Sequence, residues 1–413
     1  MKRLALLLVA VALLLPAAAN AQLTMQMSNG WSFSFAGNVN AFWVFSKVNN
    51  SGPANSSVRT GLLPAFATFE AKGKEAGMNL GVHFGFAPQI NNGGGVHDNF
   101  GNGTQAGAQI DMRQVYLTVG GQWGQILAGR ELGLFSRQNI LNDMTLFGVG
   151  AVGIGGGQGG GTTLGRIGYG YLYPNFDAQL TYSTRAGRPA QLSIGAFQPS
   201  NLQGERSPTT GLCTVPATCA FVVTKIPRVE AELTYNQKSG KNKYMFWAGG
   251  LWQSTSNAAT AGQTASSVGG TAGVRGDFSD LSVVVTGYIG KGVGTTLLFG
   301  GGERAGTAAT STELRSSDGG YVQLGYTLNK KTTVGASWGF SRLKNNATAA
   351  PAGDGNELVR SNLYAYTLGI YHQWTKSLKL VFEGSQEGTT GIIGGLAPGT
   401  KQVDVSGGFM LFF

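Results

Sequence analysis

The feature that most constrains this chain is an alternation of apolar and small side chains at a period of two, which recurs along most of its length. The alternation is clear at the end of the chain, where one face carries Val403, Val405, Gly407, Phe409, Leu411 and Phe413. A period of two predicts β-strands with two different faces. The second face is mostly Ser, Thr, Asn, Gln and Gly. A water-soluble sheet would carry many Lys and Glu there, so a secreted β-sandwich or adhesin is the weaker alternative.

The composition favours strands that contact a membrane over helices that cross it. Charged residues are 12% of the chain, about half of the usual share in globular proteins. Mean hydropathy is zero, yet after residue 21 no apolar run approaches the roughly 20 residues that a membrane-spanning helix needs. The 67 glycines have no three-residue period, which excludes a collagen-like chain.

The first 21 residues are predicted to be a signal peptide. Lys2 and Arg3 precede an apolar run over 4–15, and Ala19 and Ala21 form a small-x-small site for cleavage after Ala21. A transmembrane anchor is the weaker alternative, because the run is too short to span. Residues 22–413 are then the exported barrel domain, and loss of the two basic residues lowers the formal charge from +10 to +8.

The exported part contains two cysteines, Cys213 and Cys219. Export implies an oxidising compartment, so we expect a small disulfide loop, with a pair of unlinked thiols as the alternative. Two cysteines without a nearby histidine make a poor metal site.

The connections between the predicted strands alternate in length. Short connections are expected near 74–77, 120–122, 237–242, 277–280, 329–331 and 375–376. Long connections are expected near 47–60, 89–108, 132–163, 199–224, 255–267, 291–318, 343–361 and 388–399. Bacterial outer-membrane barrels have this arrangement, with short turns in the periplasm and long loops outside. Their strands close on themselves because lipid offers the backbone no hydrogen-bond partners.

The number of strands depends on the region 164–198. A first division of the sequence gives roughly 17 extended segments, whereas single-chain bacterial barrels have an even number. The count is 16 if residues 165–183 form one strand kinked at Pro174 and 185–189 is a short periplasmic turn. It becomes 18 if Pro174 and Asn175 form a turn. We predict an all-β, antiparallel transmembrane barrel of 16 strands, with 18 as the alternative.

Several stretches resemble the general trimeric porins of Gram-negative bacteria. Residues 113–130 read as an Arg-x-x-Tyr strand, a Gly-x-aromatic-Gly turn and a Gly-Arg pair, followed by a long third loop as in that family. Residues 165–174 resemble the sixth strand of the family, and 70–75 resemble the end of its second strand. The final strand, which ends in Phe413, resembles the signal that the barrel-assembly machinery of the outer membrane reads. The resemblance implies a 16-stranded barrel, a homotrimer and a third loop that folds inward to narrow the pore.

The sequence also departs from that family. Thr68 stands where the family usually has an arginine, and the third loop has few acidic residues. Residues 148–161 are almost all Gly, Val and Ala, which suggests a softer or more mobile constriction. The usual transverse field between loop acids and wall arginines is therefore not expected in its full strength.

Candidate pore-lining residues follow from strand faces and from the resemblance. Arg166 shares a face with Gly168 and Gly170, which we expect to point into the lumen. Arg130 shares its face with Ile126, so it turns inward only if the chain bends at Gly129. The full set of candidates for the pore and its constriction is Arg166, Arg130, Asp143, Glu131, Arg137, Lys72, Glu70, Lys379 and Glu383.

These features predict an outer-membrane porin for the passive diffusion of small hydrophilic solutes, with a weak preference for anions. The alternatives are a plugged, structural or adhesive barrel and, less favoured, a barrel enzyme. No motif surrounds the three histidines, so we expect no catalytic, cofactor-binding or metal-binding residues. The expected partners are membrane lipid and lipopolysaccharide, two further copies of the chain and the barrel-assembly machinery. The thinly spread charge gives no support for nucleic-acid binding.

Overall fold

The computed structural model describes residues 23–27, 30–90, 110–156, 161–202, 221–258, 261–300, 303, 312–344, 362–391 and 397–413. The signal peptide and both cysteines lie outside these residues. Cleavage after Ala21 and the pairing of Cys213 with Cys219 therefore stay predictions.

The described residues form nineteen β-strands. They are β1 (Leu23–Gln26), β2 (Ser32–Val48), β3 (Asn55–Arg59), β4 (Phe66–Glu75), β5 (Met78–Pro88), β6 (Ile110–Gly121), β7 (Gly124–Leu132), β8 (Phe176–Ser183), β9 (Ala190–Phe197), β10 (Phe221–Val223), β11 (Arg228–Ser239), β12 (Asn242–Asn257), β13 (Thr264–Phe278), β14 (Leu281–Lys291), β15 (Ser316–Leu328), β16 (Thr332–Lys344), β17 (Asn362–Gln373), β18 (Leu378–Thr389) and β19 (Lys401–Phe412). Sixteen of them form one closed antiparallel barrel, and the short strands β1, β3 and β10 extend the edges of β2 and β12. The prediction of 16 strands is confirmed.

The barrel closes between the first long strand and the last. β19 pairs with β2 from Gln402 opposite Val48 to Phe412 opposite Asn38. Phe413 and Gly37 then exchange backbone hydrogen bonds of 2.8 and 3.0 Å. The sheet therefore has no free edge at this seam, as a barrel in lipid requires.

The alternation in sequence separates a lipid-facing side from a lumen-facing side. In β19 the outward residues Val403, Phe409 and Leu411 are each about half exposed, while the inward residues Asp404 and Phe412 are buried. Outward apolar side chains are the expected pattern for strands in hydrocarbon. The predicted faces of this strand are confirmed.

The region 165–183 differs from the prediction. Only its second half is a strand, because β8 begins at Phe176. Residues 165–175 fold back into the lumen, with φ of +57° at Gly165 and +77° at Gly168. Glycine tolerates this conformation, which a continuous strand does not contain. The third connection therefore runs over 133–175, which we call loop 3, and is longer than the predicted 132–163.

Loop 3 contains the helix α1 (Arg137–Leu141) and a 3₁₀ turn (Met144–Phe147). Across the described residues, no helix is long and apolar enough to cross a membrane. The apolar side chains of loop 3 pack against the inner face of the barrel in buried clusters that include Phe135, Leu146 and Val149. Much of the hydrophobic core of this protein thus lies inside the barrel.

Candidate functional site

The lumen has two unlike walls. We call the inward faces of β11 to β19 the covered wall, because loop 3 packs against them. Most of their side chains are buried, for example Glu230, Tyr321 and Glu387. We call the inward faces of β4 to β6 the open wall, because Lys72, Glu70, His83 and Tyr116 on these faces keep part of their surface exposed.

The beginning of loop 3 is held by Glu230 of β11. One carboxylate oxygen of Glu230 accepts hydrogen bonds from the backbone N–H groups of Leu134 (2.8 Å) and Phe135 (2.9 Å). The other oxygen lies 2.8 Å from Nε of Arg228, which is fully buried and also pairs with Asp177. A buried carboxylate needs such partners to offset its lost hydration. The network therefore fixes where loop 3 leaves the wall.

The helix α1 of loop 3 contacts five further points of the covered wall. Arg137 forms an ion pair of 2.5 Å with Glu232 of β11. Asn139 contacts one residue on each of the next four strands, donating to Thr271 Oγ1 (2.9 Å) and accepting from Trp247 Nε1 (2.8 Å), Thr286 Oγ1 (2.9 Å) and, at its carbonyl, Tyr321 OH (2.7 Å). A single asparagine uses donor and acceptor groups on both its side chain and its backbone here. The predicted constriction residue Arg137 is thus tied to the wall.

The glycine-rich part of loop 3 lies directly on β18. Glu383 accepts hydrogen bonds at Oε2 from the N–H groups of Val149 (2.6 Å) and Gly150 (2.8 Å). A Cβ atom at Gly148 would lie only 2.3 Å from Oε1 of the same carboxylate. Glycine is needed where backbone approaches this closely. Residues 148–150 of the glycine run therefore attach the loop to the wall, and the softer constriction expected over 148–161 stays a prediction.

Two arginines hold the later part of loop 3. Arg59 of β3 is buried and donates to the carbonyl groups of Gly156 (3.1 Å) and Gly161 (3.0 Å). Arg166 lies within loop 3 and donates to the carbonyl groups of Ala365 (2.6 Å) and Ser337 (2.8 Å) on the covered wall. The Arg166 side chain has no exposed surface. In this structure it joins loop 3 to the wall.

Asp143 is a buried residue of loop 3 beside Arg166. Its carboxylate accepts hydrogen bonds from Thr145 N (2.9 Å) and Tyr171 OH (2.9 Å). Burial raises the pKa of the Asp143 carboxyl above its ordinary value, and the charge of Arg166 and the hydrogen bonds oppose this only in part. Asp143 is 2% exposed. It therefore stabilises the shape of the loop at a site that solutes do not contact in this structure.

The open wall carries a compact polar group. Lys72 Nζ lies 2.6 Å from Glu70 Oε2, and His83 Nδ1 lies 3.9 Å from the other oxygen of Glu70. The His83 ring stacks on Tyr116 with centroids 4.8 Å apart. The Lys72 side chain is 39% exposed, more than those of Glu70 and His83. These groups, with Thr68, offer charges and hydrogen-bond partners to a passing solute.

Arg113 is an inward residue that the sequence did not identify as a pore candidate. Strict alternation with inward Gln114 places Arg113 outside. The pairing of β6 with β5 shifts by one residue between Gln114 and Met112, which is a β-bulge. Arg113 is the extra residue of the bulge and points inward, with Nε 2.8 Å from Asp111 and NH1 3.4 Å from Tyr173 OH. The sequence contained one indication of this position. Asp111 and Arg113 are two residues apart, a spacing that places opposite charges on the same face of a strand.

The remaining candidates lie at different places. Arg130 is exposed and shares the outward face of β7 with Ile126, although Gly129 has a φ of +137°. Glu131 is inward and buried, and it accepts a hydrogen bond of 2.8 Å from Gln114. Lys379 is inward and lies 4.2 Å from the ring centroid of Phe147.

The described residues contain no group of three or more His, Cys, Asp and Glu side chains that could hold a metal ion. His372 accompanies the outward residues of β17 and lies 2.8 Å from Thr332 Oγ1. His97 lies outside the described residues. Within the part that the structure describes, the chemistry of the lumen is that of charges, hydroxyl groups and aromatic rings.

A family model described as Gram-negative porin matches residues 5–391. No curated protein matches the chain in sequence. Among solved structures, the anion-selective porin from Comamonas acidovorans is 13% identical with a TM-score of 0.58, covering 93% of this chain and 100% of that one. The outer-membrane channel DcaP of Acinetobacter baumannii is 12% identical with a TM-score of 0.62, covering 94% and 99%. OmpT of Vibrio cholerae, folded in vitro and in its trimer form, is 14% identical with a TM-score of 0.52, covering 93% and 100%.

Proposed function

The chain belongs to the Gram-negative porin family, which forms channels for passive diffusion in the outer membrane, and on this premise we propose that small hydrophilic solutes cross this barrel along its open wall. The observation that carries the proposal is the contrast in burial between the two walls. Loop 3 buries the inward faces of β11 to β19, whereas the side chains of Lys72, Glu70 and His83 keep 39%, 14% and 14% of their surface exposed. A polar wall that keeps exposed surface is what a hydrated solute needs.

The test is single-channel conductance of the mature protein in planar bilayers, compared with a variant that fills the proposed route. Thr68→Trp adds a large side chain to the open wall, so conductance is expected to fall by more than half. Val82→Trp is the matched control, because Val82 lies on the neighbouring strand and faces outward with 37% exposure. Equal conductance of both variants and the wild type would place the route elsewhere.

A second candidate is a plugged barrel. It is favoured by the burial of the covered wall under loop 3, which leaves only part of the lumen for solutes. A plugged barrel would give no conductance for the wild type in the same bilayers. One recording therefore distinguishes an open channel from a plugged barrel.

We propose a weak preference for anions. On the open wall, the positive charges of Lys72 and Arg113 are balanced by the negative charges of Glu70 and Asp111. At the periplasmic mouth three cations outnumber two acids, in a depression lined by Lys241, Lys243, Arg275, Asp277 and Asp280. The printed name of the Comamonas protein, an anion-selective porin, supports the same sign. A low-dielectric wall focuses such an excess on the permeating ion.

We further propose that the channel is a homotrimer without catalytic activity. The trimer form of the related OmpT structure supports the assembly. The lipid-facing position of His372, and the stacking of His83 on Tyr116, support the absence of a histidine-dependent reaction. The mass of the purified protein in detergent tests the first statement, and assays for ester and peptide hydrolysis test the second.

A further inference from the structure

The outward face of β14, β15 and β16 carries charged side chains at its extracellular end. In one row of paired residues, Ile289 of β14 lies opposite Asp318 of β15, which lies opposite Arg342 of β16. Directly paired residues share a face, and Ile289 is 69% exposed on the lipid side. In the next row, Lys291 and Lys344 flank Ser316. We call Lys291, Asp318, Arg342 and Lys344 the rim cluster.

The rim cluster lies at the level of the outer membrane surface. Asp318 is eight residues above Tyr326, which is exposed at the periplasmic end of the same face of β15. At about 3.4 Å per residue and a tilt of about 40°, this separation is about 21 Å along the membrane normal, and the lysine row lies about 5 Å higher. An apolar band about 25 Å tall would therefore end between these two rows.

Aromatic rings lie directly below the rim cluster. The Arg342 guanidinium is 5.0 Å from the ring centroid of Phe340, and Trp338 lies 5.4 Å from Phe340. Tyr366 is 6.5 Å from Trp338 on the neighbouring strand. Such rings gather where hydrocarbon meets headgroups. Their position agrees with the depth derived from strand geometry.

The rim cluster has three cations and one acid. Asp318 lies 2.8 Å from Nε of Arg342 and 2.6 Å from Nζ of Lys344. The acid therefore holds both cations side by side, while their side chains keep 45% and 54% of their surface exposed. Lys291 is exposed on the adjoining strand. The cluster thus presents a net positive charge of two at headgroup level.

We propose that the rim cluster binds a phosphate group of an outer-leaflet lipid headgroup. Arg342 and Lys344 are the phosphate ligands, Lys291 adds charge from the next strand, and Asp318 positions the two ligands. The lipid chains then pack against Phe340, Trp338 and Tyr366 below. Guanidinium and ammonium groups bind phosphate oxygens by charge-assisted hydrogen bonds. The site is on the outside of the barrel and does not depend on the route that solutes take through it.

The test measures binding of a diphosphorylated lipid A to the intact mature protein in detergent, by native mass spectrometry at low salt. At about 1 kcal/mol for each basic residue near a charged lipid surface, Arg342→Gln with Lys344→Gln is expected to weaken binding roughly 30-fold. Lys291→Gln, which leaves the Asp318 contacts intact, is expected to weaken it roughly 5-fold. The exchange Arg342→Lys with Lys344→Arg keeps both charges and is expected to retain most of the affinity.

The matched control lies in the periplasmic turn of the same hairpin. Lys330→Gln with Lys331→Gln removes the same charge at the other membrane surface and is expected to leave binding unchanged. Equal losses in this control and in the rim variant would overturn the proposal, as would unchanged binding in Lys291→Gln and the rim variant alike. The proposal would also be overturned if inorganic phosphate at the same concentration as the lipid displaced the lipid completely. The same holds if a rim variant lost lipid binding only when it also lost its oligomeric state.

Discussion

The covered wall and the open wall both carry charged side chains, but these side chains differ in what they bind and in how much of their surface is exposed. On the covered wall, Glu230 and Glu383 bind backbone N–H groups of loop 3 and have little or no exposed surface. On the open wall, Lys72 and Glu70 bind each other, and Lys72 keeps 39% of its side-chain surface exposed. A buried charge that is paired with an opposite charge adds little net field to the lumen, whereas an exposed charge can also contact a solute directly. The number of charged residues inside a barrel therefore does not measure the field in its pore.

The largest expected effect comes from removing a carboxylate of the covered wall. Glu230→Ala leaves Arg228 buried with one acidic partner fewer and leaves two loop N–H groups without acceptors. We expect the free energy of unfolding to fall by about 3–5 kcal/mol. Urea unfolding in detergent measures it. Glu70→Ala, on the open wall, is the control and is expected to cost about 1 kcal/mol or less; similar losses for both would contradict the distinction.

A steric change at the contact between loop 3 and the wall should have the next largest effect. Gly148→Ala places a methyl group against Glu383, so the loop must move towards the open wall. We expect a loss of about 1–3 kcal/mol in the free energy of unfolding and a lower conductance. Gly384→Ala is the matched control, because a Cβ at Gly384, next to Glu383 on β18, would have no neighbour within 4 Å. If both variants conduct like the wild type, the loop does not border the route.

Changing one charged residue on each wall separates the influence of the two walls on ion selectivity. Lys72→Glu is expected to shift the permeability ratio severalfold towards cations, because the side chain is exposed to the lumen. Glu383→Gln changes the charge of the covered wall by one and keeps an acceptor for Val149 and Gly150, so the ratio should stay the same. Reversal potentials under a salt gradient measure both. A larger shift in Glu383→Gln than in Lys72→Glu would reverse the assignment of the walls.

The smallest effect is expected at Asp143. Burial raises its pKa in the folded chain, so folding favours the protonated carboxyl. Its ionisation therefore lowers stability as pH rises from about 4 towards the raised pKa. Asp143→Asn removes this dependence and keeps an acceptor for Thr145, so we expect a change within about 1 kcal/mol at neutral pH. Unfolding of both proteins at pH 4 and pH 8 tests it, and a variant that keeps the full pH dependence would exclude Asp143 as its source.

The strands were predictable because each face meets a uniform environment. Lipid selects apolar side chains along the whole outward face of β19, and this leaves a period of two in the sequence. Loop 3 was not predictable in the same way. Tyr169 and Tyr171 alternate with glycines as a strand would, yet they are buried inside the barrel because Gly168 turns the chain. A period of two in the sequence shows that two faces of a segment differ. The path of the backbone decides whether the apolar face contacts lipid or the interior of the barrel.

The candidate site was predictable only in part for a similar reason. Glu70 and Lys72 lie on a regular strand, so their inward direction followed from their spacing. Arg113 is the extra residue of a bulge, and one extra residue reverses the direction that strict alternation predicts for the side chains beyond it. Arg166 was expected in the lumen, but its burial depends on contacts with Ser337 and Ala365, some 170 to 200 residues away. Such contacts leave no local pattern.

The seam between β2 and β19 sets an order of events during assembly. The first long strand of the barrel acquires its second neighbour only from the last residues of the chain, Lys401 to Phe413. Until those residues have been exported, the edge of β2 has unpaired N–H and C=O groups that can pair with any other strand. The chain must therefore be kept from aggregating until β19 has paired with β2, because the barrel closes only at that step.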